Sequence, residues 1–197
     1  LKKAEENIKK KQICNVKFQI ADVARLPFDN ESFDHVFVCF LLEHLQDPVE
    51  ALGSLKRVLK KGGTITLIEG DHGSAYYHPR SSAAQACIQC LIDLQAQAGG
   101  NSLIGRELYP LLVNAGFGDV FISPRVVYAD ASRPGMVDGF TNKTFIAMVE
   151  GVKEQAVSRG LINEANWNRG IADLKRSADS DGTFSYTFFK AVAKRLD

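Results

Sequence analysis

Four sets of residues in this 197-residue chain have types and spacing that could do chemistry. Glu43 and His44 are adjacent, a carboxylate beside an imidazole, and such a pair can hold or take a proton near neutral pH. A second polar run, Glu69-Gly70-Asp71-His72-Gly73, offers Glu69 and His72 as further bases, and Tyr76, Tyr77 and His78 follow it as candidate lining for a substrate pocket. Asp22 closes the alternating run Asn15-Val-Lys-Phe-Gln-Ile20 and presents an acceptor where an element ends. Cys87-x-x-Cys90 has metal-ligand spacing, but Ser81 to Ala98 reads as a helix. Residues three apart there share one face, and no second cysteine pair closes a tetrahedral site, so no metal is expected.

Short β-like runs alternate with amphipathic stretches, the pattern of βαβ units in a largely parallel sheet. Asn15–Ile20 reads as a strand. Phe33–Leu42, almost continuously apolar, reads as a central strand buried on both faces. Asp47, Pro48 and Glu50 form an N-cap, a first-turn proline and a capping box, so a helix begins there. Leu52, Leu55 and Leu59 give it an apolar face, Lys60 and Lys61 its basic last turn, and Gly62-Gly63 its stop. Thr64–Ile68 is the next strand, and the polar run from Glu69 is then a loop. A helix over Ser102–Ala115 leads to an extended Asp119–Tyr128. Arg133–Leu161 and Asn163–Ala178 read as two helices, and Thr183–Ala193 as a final strand. The chain reads as one domain, 1–197, with 133–178 a helical insertion.

A net charge of +1 supplies no field to recruit nucleic acid or an anionic membrane. No apolar run approaches the roughly 20 residues of a membrane span. Four cysteines without a secretory signal point to a reducing compartment, the cytoplasm by default. The opening Leu1 and lysine-rich stretch suggest a natural N-terminus further upstream.

Three blocks carry a family resemblance: Ala21-Asp-Val-Ala-Arg-Leu-Pro-Phe28, Ser32-Phe-Asp-His-Val36 and Leu59-Lys-Lys-Gly-Gly63. In this order and spacing the chain resembles the class I S-adenosylmethionine-dependent methyltransferases of the UbiE-like, type 11 group, without their N-terminal glycine-rich loop. The resemblance implies a doubly wound, Rossmann-like α/β fold with a mostly parallel sheet of order 3-2-1-4-5-7-6. The final strand is antiparallel, and the cofactor lies at the carboxyl ends of the strands. It implies that the Asp22 side chain accepts from the adenine amino group while the Val23 amide donates to the ring, and that Cys39, Phe40 and Leu41 border the methionine part. Glu43, His44 and His72 become candidate catalytic groups facing a small-molecule methyl acceptor.

The last such expectation concerns the sheet. In that order two strands from upstream separate Asn15–Ile20 from Phe33–Leu42, so no direct ladder should join them. The helical insertion, richer in apolar residues than one sheet-facing stripe needs (Phe140, Phe145, Met148, Trp167), is expected to form a substrate lid or a contact in a homodimer. A nicotinamide dinucleotide enzyme and a methyltransferase-like subunit that has lost catalysis remain the alternatives.

Overall fold

A computed structural model describes residues 1–197. Its sheet has four strands in the order β1-β2-β4-β3. β1 (Phe33–Cys39) runs parallel to β2 (Leu59–His78), and β4 (Thr183–Lys194) lies antiparallel between β2 and β3 (Gly118–Asp130). Three strands therefore share one direction and the last in sequence is reversed, the arrangement expected for the half of the sheet numbered 4-5-7-6.

β1 is an edge strand, which corrects the expectation of a central one. It pairs only with β2, ends at Cys39 rather than Leu42, and buries Val38 alone, with Phe37 60% exposed. Its apolar run marks a strand built for cover on both faces, and here cover comes on one. Asn15–Ile20 forms no strand: it joins no ladder, least of all with β1, and Ile20 is 82% exposed.

Helix α1 (Lys2–Lys10) buries no residue. Helix α2 (Pro48–Val58) starts as its sequence dictates, the Asp47 carboxylate accepting from the Glu50 amide at 2.8 Å. It ends earlier than expected, because Leu59 and the lysines after it already belong to β2 and Gly62 turns there with a φ of 76°. Buried Leu52 and Leu55 pack with Val38, Ile65 and Leu67 of the sheet and with Leu108 and Leu112 of α4 (Leu108–Asn114), a short helix entered through a 3₁₀ turn where one longer helix was expected.

The second core is built on the far half of β2. Helix α3 (Ser82–Gln97), capped by Ser81, packs against α8 (Glu164–Lys175) and covers Phe184 and Tyr186 of β4. The segment expected as one helix from Arg133 is divided instead. Residues Pro134–Met136 form α5, a π-helix spans Val137–Ile146, α6 covers Ala147–Glu150 and α7 covers Lys153–Ser158. A π-helical stretch of this kind re-aims side chains relative to an α-helix and is commonly found at functional sites. Here it brings Phe140, Thr144 and Phe145 over the sheet.

Candidate functional site

The polar run after Ile68 is strand, not loop: Glu69, Asp71 and His72 all lie within β2 and all are buried. Each has found a partner from a distant element, which is why a strand can carry them. The Arg106 guanidinium donates twice to Asp71, at 2.8 and 2.7 Å. His72 Nδ1 shares a 2.7 Å hydrogen bond with the Tyr186 hydroxyl of β4. Glu69 Oε1 accepts from the amides of Leu41 and Leu42 at 3.0 and 2.9 Å, so β2 holds the turn that leaves β1.

That turn contains Phe40, whose φ of 53° is uncommon for a residue with a side chain. The Phe40 amide donates to the Ile68 carbonyl at 2.9 Å, and the two Glu69 bonds follow immediately, so both neighbours fix the conformation. Phe40 consequently stands between two concavities. One is a groove of about 660 Å³ along the exposed side of β1, lined mostly by apolar groups. Asp22, Val23, Cys39, Phe40 and Leu41 all border it, so the five residues assigned to cofactor binding lie together. The Asp22 carboxylate caps a short turn by accepting from the Ala24 amide at 3.0 Å. The loop after it is clamped by Arg57 of α2, which donates to the carbonyls of Leu26 and Phe28 at 2.8 and 2.7 Å.

The other concavity, about 200 Å³, lies between the carboxyl end of β1, the middle of β2 and the π-helix. Phe40, Phe140, Phe145, Met148, Tyr186 and Phe188 give it aromatic and thioether walls, and Glu43 and His72 supply its ionisable groups. Burial lifts the Glu43 carboxyl above the ordinary carboxylate value, only partly offset by His44, whose Nε2 lies 3.5 Å away. Burial pushes His72 down to about 4, so its imidazole is neutral at pH 7. The Tyr186 hydroxyl is pushed far up by burial and keeps its proton.

The three candidate catalytic residues thus separate. Glu43 and His72 line the pocket, while His44 borders neither it nor the groove and has a 62% exposed side chain. Glu69 Oε1 is committed to two backbone amides, and the residue borders neither concavity. Tyr76 and Tyr77 border a different cavity, beside Arg80 and Gln85 on the α3 side of β2. Phe140, Phe145 and Met148 signalled themselves in the sequence as surplus apolar groups, whereas Tyr186 and Phe188 were indistinguishable from ordinary strand residues.

Residues 1–67 match the methyltransferase domain family. Over that stretch the sequence is similar to methyltransferases, and over nearly the whole chain the fold is similar to theirs. An uncharacterized methyltransferase of Schizosaccharomyces pombe is 37% identical over 111 residues, covering 56% of this chain and 40% of that protein. The ubiquinone/menaquinone biosynthesis C-methyltransferase UbiE of Idiomarina loihiensis is 42% identical over 57 residues, 29% of this chain and 23% of that one. Phosphoethanolamine N-methyltransferase 2 of Haemonchus contortus, solved with phosphomonomethylethanolamine and S-adenosylhomocysteine, superposes with a TM-score of 0.52 at 17% identity. The superposition covers 98% of this chain and 41% of that one. The chain therefore spans about 40% of the length of the yeast relative. No helix is long and apolar enough to cross a membrane.

Proposed function

We propose that this protein transfers a methyl group from S-adenosylmethionine to a small-molecule acceptor. One observation carries the reading: Phe40 is a wall common to a groove bordered by Asp22 and Val23 and to an aromatic pocket containing Glu43. The donor set of the groove suits the cofactor. An apolar floor accepts a flat ring, and a carboxylate beside a backbone amide matches the donor and acceptor edge of adenine. Asp22 and Val23 would hold that edge, and Cys39, Phe40 and Leu41 would border the methionine part. When bound, the cofactor supplies an electrophilic methyl group on a sulfonium.

The protein's own residues then have positional tasks. Phe40, Phe140 and Phe145 confine the acceptor and keep water from it, and alignment of this kind supplies much of the acceleration such a transfer needs. Glu43 is the carboxylate available to an acceptor proton. His72, neutral and tied to Tyr186, orients the pocket floor. The insertion acts as the lid over this pocket, with Phe140, Thr144, Phe145 and Met148 as its inner face.

Titration calorimetry of the full-length protein with S-adenosylhomocysteine tests the reading. Binding is expected, and Asp22→Ala should weaken it by about 1–3 kcal/mol. A thermal shift with NAD and none with S-adenosylhomocysteine would move the assignment to a dinucleotide enzyme.

A further inference from the structure

The electrostatics of the aromatic pocket select among acceptors. Six side chains form its walls, Phe40, Phe140, Phe145, Met148, Tyr186 and Phe188, and the ring faces among them carry negative charge density. The rings are mutually braced: Phe140 lies 5.7 Å from Tyr186 and 5.8 Å from Phe188 between centroids, and Phe40 lies 5.4 Å from Phe188. Neither lysine nor arginine lines the cavity. Its one carboxylate, Glu43, is buried to 9% residual exposure, and the basic side chain beside it, His44, faces solvent. A buried carboxylate without a firm counter-charge is costly. A neutral acceptor would leave that cost unrelieved, and an anionic one would add to it.

We infer that the pocket recognises an amine, held as its ammonium ion between the aromatic rings and the Glu43 carboxylate. Cation–π attraction and a desolvated ion pair act together on such a ligand, and neither acts on a phenol, an enol or a carboxylate. The raised affinity of Glu43 for protons serves the next step. To become a nucleophile the ammonium gives one proton to Glu43: the N–H bond breaks, its electron pair stays on nitrogen, and an O–H bond forms on the carboxylate. The neutral amine then faces Phe40, the wall shared with the groove. The inference rests on the methyltransferase reading for its use of the amine, but not for the binding of it.

The test therefore measures binding without the methyl donor. Choline and 3,3-dimethylbutan-1-ol have the same shape and differ by one positive charge. Two-dimensional NMR titration of the folded protein should show choline shifting resonances of Phe140, Phe145 and Tyr186. Choline should bind at least tenfold more tightly than its carbon isostere. Glu43→Gln, whose spectrum reports independently that it is folded, should cost at least fivefold in choline affinity and nothing in affinity for the isostere. Phe140→Trp should keep choline binding and Phe140→Leu should lose it. Equal affinities for the two probes, or preference for the neutral one, overturns the inference and makes the pocket a plain apolar one. S-adenosylhomocysteine binding is measured separately: its failure with choline bound removes the proposed activity alone, and the reverse result removes the amine alone.

Discussion

Glu69 on β2 accepts from the Leu42 amide at 2.9 Å, and through this contact and its twin at Leu41 a buried carboxylate dictates where Phe40 stands. The other oxygen, Oε2, is buried with no partner. Burial lifts the Glu69 carboxyl above the ordinary value of 4.5, so the folded protein holds this proton more tightly than the unfolded chain does. The stability it contributes is complete below pH 4.5 and is lost as the pH rises through the folded value. Glu69→Gln keeps one accepting oxygen and is neutral at every pH. Denaturant melts at pH 5 and pH 8 should show the variant losing less stability than the parent between them. Glu69→Ala, which strands both amides, should cost about 2 kcal/mol at pH 7. A Gln variant as unstable as the Ala variant would contradict the assignment.

His72 has the opposite sign. Its folded value lies near 4 against 6.5 for a free imidazole. As the pH falls through 6.5 the unfolded chain takes up a proton that the folded one refuses, and stability drains away until about pH 4, by at most about 3 kcal/mol. Desolvation drives this shift, and the neighbouring Asp71 opposes it. His72→Asn preserves a hydrogen-bonding group toward Tyr186 and cannot titrate. The stability difference between parent and variant should therefore shrink from pH 7 to pH 5. A constant difference would mean that His72 takes up its proton as readily in the folded protein as in the unfolded chain.

How much of this was legible beforehand depended on how local each cause is. The Asp47-Pro48-Glu50 start of α2 rests on contacts within four residues, and it appears as written. The directions of β1, β2 and β4 were expected from the family resemblance that the three sequence blocks carry, and the ladders agree. The polar run Glu69–His72 misled because its partners are remote: Asp71 is satisfied by Arg106 and His72 by Tyr186, and without them a strand could not carry these side chains inward. The residues assigned to cofactor binding share one groove because the turn that Asp22 caps and the residues that leave β1 both border it. The aromatic pocket was half visible, since periodicity flags an excess of apolar side chains on residues 133–178 but says nothing of which strand face lies opposite.

Arg57 is a residue whose importance no motif announced. Its guanidinium donates to the carbonyls of Leu26 and Phe28 and to Asn30 Oδ1 at 3.0 Å, fastening to α2 the loop that carries Asp22 and Val23. Arg57→Ala should loosen that loop without unfolding the protein. Amide exchange over residues 22–30 should quicken, and S-adenosylhomocysteine affinity should fall severalfold. Lysine at this position restores one charge but not the fork, so it should recover only part of the loss. Unchanged exchange in this segment would show that the loop is held by its apolar contacts alone.

Gly70 ties the pocket to its backbone. A Cβ placed there would collide with the Tyr186 hydroxyl, while the ring carbon behind that oxygen sits at 3.4 Å, an acceptable contact. Gly70→Ala must therefore push Tyr186 aside, breaking its 2.7 Å bond to His72 and intruding on the aromatic pocket, which both residues line. The expected cost is about 1–3 kcal/mol of stability, the usual range for an added methyl in a packed site. Choline affinity should fall at least tenfold. S-adenosylhomocysteine affinity should hold, because Gly70 does not border the groove. Removing the hydroxyl removes the collision, so Gly70→Ala combined with Tyr186→Phe should bind choline better than Gly70→Ala alone, even though Tyr186→Phe by itself gives up a hydrogen bond. If the two losses simply add, the close approach of Gly70 to Tyr186 does not govern the pocket's shape.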